Sequence, residues 1–265
     1  MIFYFSCTGN TRWAAETIAA AIGEKMANMA DEKHHFRLES DERIGFCFPV
    51  HGWRPPKLVL DFISRLVIDS DETEKVNHFC WALCTAGDDI GLTMEYLNRA
   101  LSYIGWNAES FYSLIMPESY VGLPFMDVDN PEKESNKKRK AEQLLETYIS
   151  EIRRRQRGSI KIHKGHWPTI NSRILGKLFL KFLVTDKPFH VSENCIKCGR
   201  CADFCPVKNI RGGRGNIPKW LHNGRCLSCF ACYHHCPVHA IRYGRRTDGK
   251  GQYFYGSKNS DHKDC

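Results

Sequence analysis

Along the first 157 residues, short apolar runs alternate with stretches whose apolar residues recur every three or four positions. The runs are continuous rather than alternating, as in strands buried on both faces of a parallel sheet. They predict strands at Ile2–Phe5, His35–Leu38, Ile44–Val50, Val76–Cys84 and Ser110–Met116, the second being the weakest. The periodic stretches predict helices at Arg12–Met29, where Ile18 and Ile22 stand four apart, at Pro56–Ile68 and at Leu92–Ile104. Lys137–Arg155 carries Leu144, Leu145, Tyr148, Ile149 and Ile152 on one face and predicts the last helix. The fold class is therefore α/β, a doubly wound parallel sheet of five strands.

The pattern then changes. Residues 158–188 form a helical connector, with Ile174, Leu175, Leu178, Phe182 and Leu183 at helical spacing and Lys177 and Lys181 four apart. Such a basic amphipathic helix can lie on a membrane surface. Packing against its own protein is the commoner use, and docking between the two halves is the expectation here. No run of 18 apolar residues occurs, so no membrane-spanning helix is expected.

Residues 189–265 are dominated by a cysteine repeat. Cys195, Cys198, Cys201 and Cys205 are followed by Pro206, and Cys226, Cys229, Cys232 and Cys236 by Pro237. A cubane iron–sulfur cluster takes four soft thiolates around one compact object. Three cysteines at i, i+3 and i+6 wrap a loop around it, with Gly199, Ala202 and Ala231 easing the path. In this spacing class the fourth cysteine ligates the other cluster. One [4Fe–4S] cluster is thus assigned to Cys195, Cys198, Cys201 and Cys236, the second to Cys226, Cys229, Cys232 and Cys205. Zinc is the competing reading of paired CxxC, but a four-ligand site has no need of the whole motif twice. This segment, over about residues 189–243, resembles the bacterial two-cluster ferredoxins, which implies a small α+β domain.

Between the first strand and its helix lies Ser6-Cys7-Thr8-Gly9-Asn10-Thr11. A strand, then hydroxyls and glycine, then a helix N-terminus suits a phosphate group, because backbone N–H groups and the helix dipole favour a dianion. No P-loop lysine follows. The hexapeptide resembles the FMN phosphate loop of flavodoxins, which hold FMN at the carboxyl ends of strands one, three and four. Here strand three runs into Pro49, Val50, His51, Gly52 and Trp53, and strand four into Thr85, Ala86, Gly87 and Asp88. The resemblance implies that Ser6, Thr8, Gly9, Asn10 and Thr11 hold the phosphate, that Trp53 stacks on the flavin ring, and that Gly87 brings backbone to the ring edge. Two departures stand out: the 84–91 loop has no aromatic residue, and position 7 is a cysteine.

Outside residues 158–188, the chain resembles a flavodoxin–ferredoxin fusion, a family of anaerobe electron-transfer proteins. The cofactors implied are two [4Fe–4S] clusters and FMN. The formal charge of +8 fits this reading. Two oxidised clusters with their thiolates at roughly −2 each and a flavin phosphate at about −2 leave roughly +2. The basic balance is therefore read as cofactor charge and not as nucleic-acid binding. The N-terminus MIFYFSCTGNT lacks the layout of a signal peptide, and tight cysteine repeats point to a reducing compartment, so a cytoplasmic location is expected.

Other features are read as structural. Cys47 and Cys80 suit core packing, and His163, His166, His234 and His235 are surface or packing residues. Arg211–Gly215 is a loop without the GxGxxG fingerprint. The function expected is an electron relay between FMN, the clusters and an external redox protein, whose acidic surface would meet Lys197, Arg200, Lys208, Arg211 and Arg225. The alternatives are an FMN-dependent reductase of a small molecule such as a quinone, and a partner-docking ferredoxin whose flavodoxin-like half binds no flavin.

Overall fold

The computed structural model describes residues 1–39, 42–69 and 78–257. Val76 and Asn77 of the fourth expected strand, and Cys265, lie outside them. The chain forms two compact units, one of residues 1–6, 11–116 and 137–177, the other of residues 7–10, 117–136 and 178–265.

The first half of the chain runs β1 (Ile2–Tyr4), α1 (Asn10–Ile22), β2 (Met26–Asn28), β3 (His35–Arg37), β4 (Ile44–Pro49), α2 (Lys57–Arg65), β5 (Val67–Asp69), β6 (Cys80–Ala86), α3 (Thr93–Tyr103), β7 (Ser110–Ile115), α4 (Pro131–Arg153) and β8 (Ile160–Lys161). One sheet takes six strands in the order β2-β1-β4-β6-β7-β8, every neighbouring pair parallel. Counting only its own strands, that is the flavodoxin-like order 2-1-3-4-5 with a sixth strand added beside the fifth.

Two boundaries differ from expectation for one local reason. Helix α1 stops at Ile22 and not at Met29, because Gly23 adopts φ +74° and both its amide and that of Glu24 turn back to Ala19 O (2.9 and 3.1 Å). The stop frees Met26–Asn28 to become the edge strand, the place expected for His35–Leu38. His35–Arg37 does extend, but it pairs with Val67–Asp69 in a separate two-stranded parallel sheet. That pairing also ends α2 at Arg65, short of the expected Ile68.

The central strands β4 and β6 are buried almost throughout, as their continuous apolar sequences require. Phe3 sits at the middle of an aromatic cluster, 4.9 Å from Phe36 and 5.4 Å from both Phe46 and Phe62. Each such ring contributes about 1.5–3 kcal/mol by leaving water. Helix α4 buries Ala141, Leu145, Tyr148 and Ile152. Leu144, expected on that face, is exposed, since neighbours on a helix point about 100° apart.

The connector region contains α5 (Pro168–Ile170), a π-helical turn (Asn171–Leu175) and α6 (Gly176–Phe182). The second unit follows with β9 (Phe189–Val191), α7 (Arg200–Asp203), β10 (Ile210–Gly213), β11 (Asn216–Trp220), α8 (Ala231–His234) and β12 (Ile241–Tyr243). Strands β9 and β12 pair antiparallel, as do β10 and β11. Phe189 is its aromatic centre, stacked on Trp220 (5.3 Å, 5°) and edge-on to Tyr243 (4.6 Å). This is the small α+β unit that the cysteine repeat implied.

Candidate functional site

The offset of 31 residues between the cysteine motifs is repeated in the backbone. Left-handed residues occur in pairs at that spacing: Lys197 and Ser228, Gly199 and Phe230, Lys208 and His239, with φ between +47° and +89°. Five of the six are not glycine and cost roughly 1–2 kcal/mol each in that region. The same spacing relates the short helices α7 and α8.

These turns aim amides at sulfur. Lys197 N and Ser228 N donate to Cys195 Sγ and Cys226 Sγ (3.4 and 3.3 Å). Asn209 N and Ala240 N donate to Cys205 Sγ and Cys236 Sγ (3.2 and 3.1 Å). The backbone thus offers a matched set of donors to both motifs, an arrangement that favours thiolate over thiol.

Two cavities lie among these residues. One is lined by Cys195, Cys198, Cys201 and Cys236. The other is lined by Cys205, Cys226, Cys229 and Cys232. Each draws three cysteines from one motif and the fourth from the other. Among the described residues, no three His, Cys, Asp or Glu side chains converge as ligands of a single ion would. Four cysteines line each space, the donor set that a cubane cluster takes. Burial pushes the Cys201 thiol up to about 11 and that of Cys226 to about 12, and raises Cys205 as well. Such thiols give up their protons at neutral pH only to a strongly charged centre that takes them as ligands.

Residues 187–253 match the 4Fe–4S dicluster domain. This protein carries an iron–sulfur module. No curated protein matches the chain. Among solved structures, the crystal structure of a "putative flavoprotein" from Bacteroides uniformis is 19% identical, covering 43% of this chain and 88% of that one at a TM-score of 0.32.

The loops at the carboxyl ends of β1, β4 and β6 supply the other candidate site. Thr11 Oγ1 and Thr85 Oγ1 share a hydrogen bond (2.7 Å), and Val50 N donates to Thr85 O (2.8 Å). Residues predicted from all three loops therefore meet at Thr85. Past Pro49, His51 and Arg54 exchange backbone bonds across a tight turn in which Gly52 and Trp53 are both left-handed. Trp53 hydrogen bonds to Asp89 and packs beside Gly91, a partnership the sequence did not disclose. Ala86 ends β6, Asp88 is exposed, and the Gly87 carbonyl receives Lys137 Nζ (2.8 Å).

The hexapeptide itself divides. Ser6 and Thr11 belong to the first unit, Cys7, Thr8, Gly9 and Asn10 to the second. Within the second unit Thr8 O accepts from Tyr255 N (2.7 Å), and Tyr255 packs onto Gly9, where a methyl would stand 2.9 Å from its Cβ. Asn10 receives Tyr253 Oη–H (2.5 Å) and gives its amide to Pro117 O (3.2 Å). Gly9 adopts φ +93° one residue ahead of α1. The Asn10 side chain is committed to Tyr253 and Pro117, and the Thr8 hydroxyl donates to Ser119 Oγ (3.4 Å). Tyr253 and Tyr255 escaped sequence reasoning because nothing local marks them.

Cys7 has an unforeseen place. Its thiol hydrogen bonds to Cys229, which, together with burial, holds the proton on Cys7 and lowers the Cys229 pKa. His234, expected as a packing residue, is buried and fully used: Nε2 donates to Ser119 O (2.7 Å) and Nδ1 accepts from Tyr253 N (3.1 Å).

Proposed function

We propose that this chain is an electron carrier holding two [4Fe–4S] clusters and FMN. The observation that carries the reading is the pair of cavities, each ringed by three cysteines of one motif and the fourth of the other. Cys195, Cys198, Cys201 and Cys236 would hold one cluster, and Cys205, Cys226, Cys229 and Cys232 the second. Clusters supply one-electron steps, and the protein sets their potentials through amide–sulfur bonds and burial.

FMN would be held at Ser6, Thr8, Gly9 and Thr11, with the 49–53 and 85–88 loops beside it. When bound, it would supply an exchange between paired and single electrons. What the residues themselves do is position: Thr85 ties the three loops together, and the Trp53–Asp89 bond fixes the indole.

The electron exit belongs at the first cluster. Cys198 is exposed, and Lys197, Arg200, Lys208, Arg211 and Arg225 stand exposed in the same unit. Such a basic surface suits a redox protein with an acidic face. The deciding experiment is anaerobic reconstitution with iron, sulfide and FMN, followed by desalting. About eight irons and eight sulfides per chain support two clusters. Zinc in their place, or half that iron, overturns the reading. Near one FMN per chain supports the flavin, and none removes it while leaving the clusters.

A further inference from the structure

The helical run over residues 168–182 is packed inside out for a helix of a compact protein. Its inward side begins with small residues, and only further on does a large one, Phe179, turn in to meet Tyr120 (5.3 Å). Ser172 and Gly176 are buried, Ser172 Oγ accepts from the Leu92 amide (2.7 Å), and Ser172 O accepts from Arg54 Nε (2.8 Å). A methyl on Gly176 would stand 2.4 Å from Gly52 O, so nothing larger fits against that turn. The outward side carries most of the large apolar residues instead. Trp167, just ahead of the run, is 66% exposed, Ile174 55% and Phe182 63%, and Ile170, Leu175 and Leu178 are exposed with them. Keeping such a row in water stabilises nothing, and rows of this kind mark a surface that something covers.

Charge indicates the cover. Between Gly158 and Thr185 the sequence contains no Asp or Glu, but it contains Lys161, Lys164, Arg173, Lys177 and Lys181. Lys161 and Lys164 are paired with Glu151 and Glu95. Arg173, Lys177 and Lys181 have no carboxylate partner among the described residues. A second copy of the chain would set these cations against their own kind. An anionic lipid surface takes both rows at once, the apolar side chains at the acyl boundary and the cations among the phosphates. Trp167 at the start of the run and Phe182 at its end suit that interface.

We propose that the 167–182 run lies in the headgroup layer of an anionic membrane and holds the protein on its surface. Among the described residues no helix is long and apolar enough to span the bilayer.

The test uses the full, cluster-loaded chain under anaerobic conditions, floated with vesicles of phosphatidylcholine or of phosphatidylcholine and phosphatidylglycerol. The wild type floats with the anionic vesicles, stays down with the neutral ones, and is released by salt. Arg173→Glu, Lys177→Glu and Lys181→Glu together lower the partition on the order of a hundredfold. Ile174→Asn with Leu178→Asn also lowers it. All five positions are exposed, so iron content stays as in wild type and separates lost binding from lost folding. A wild type that stays down with anionic vesicles overturns the proposal, as does a triple variant that floats normally. Binding of the apolar row to an acidic protein while vesicles are ignored overturns it too.

Discussion

Cys7 is hydrogen bonded to Cys229. The donor comes from the hexapeptide that precedes α1, the acceptor from the second cysteine motif. If Cys229 is a cluster ligand, this thiol stabilises the more negative, reduced state and raises the potential of that cluster alone. Cys7→Ala should lower it by roughly 20–40 mV, from a bond of about 0.5–1 kcal/mol. Potentiometric titration followed by electron paramagnetic resonance would show one midpoint moving and the other fixed. If neither moved, the bond would have no electronic weight.

Five non-glycine residues are held left-handed around the motifs. Their combined strain is of the order of several kcal/mol. Removing iron should therefore melt residues 187–253 while leaving the six-stranded sheet folded. Hydrogen exchange should show amides such as Asn209 and Ala240 losing protection on chelation, with those of β4 and β6 unchanged.

Much of this was legible because the causes are local. The eight cysteines announce their grouping by spacing, and the two cavities follow it. Strands β4 and β6 are apolar from end to end and could be read directly. The second strand was misplaced because Met26–Asn28 is too short and mixed to signal itself, whereas Phe36 made the neighbouring stretch look stronger. Leu144 was misread because a crowded apolar stretch gives more than one possible face. The tyrosines that meet Thr8 and Asn10 were invisible for a different reason: they stand more than two hundred residues away, Tyr253 at a separation of 243, and no periodicity encodes a contact of that range.

Close approach of two glycines gives a third prediction. A methyl on Gly213, itself at φ +87°, would stand 2.1 Å from Gly199 Cα, backbone against backbone. Neither side has a flexible atom to move. Gly213→Ala should cost about 2–3 kcal/mol or more and displace the turn between Cys198 and Cys201. Reconstituted protein should then carry about half the iron of wild type, and the loss should lie in the first motif.

Acid provides a fourth. Burial lowers the His51 pKa from 6.5 to about 4, so the folded protein keeps this ring neutral where the unfolded chain protonates it. Below pH 6.5 the unfolded state binds more protons, and stability falls with pH until about 4. His51 is partly open to solvent, and its share is about 1–2 kcal/mol. His51→Gln should flatten the melting temperature between pH 6.5 and 5 relative to wild type. An equal slope in both proteins would place the acid sensitivity elsewhere.

Asn10 and Tyr253 are bonded across 243 residues of sequence. During synthesis the turn around Gly9 leaves the ribosome well before the tyrosines that brace it. For most of that interval the turn has to wait, its amide and carbonyl groups served by water. Any cofactor that depends on its finished shape can be loaded only after the strap of Tyr253 and Tyr255 has arrived.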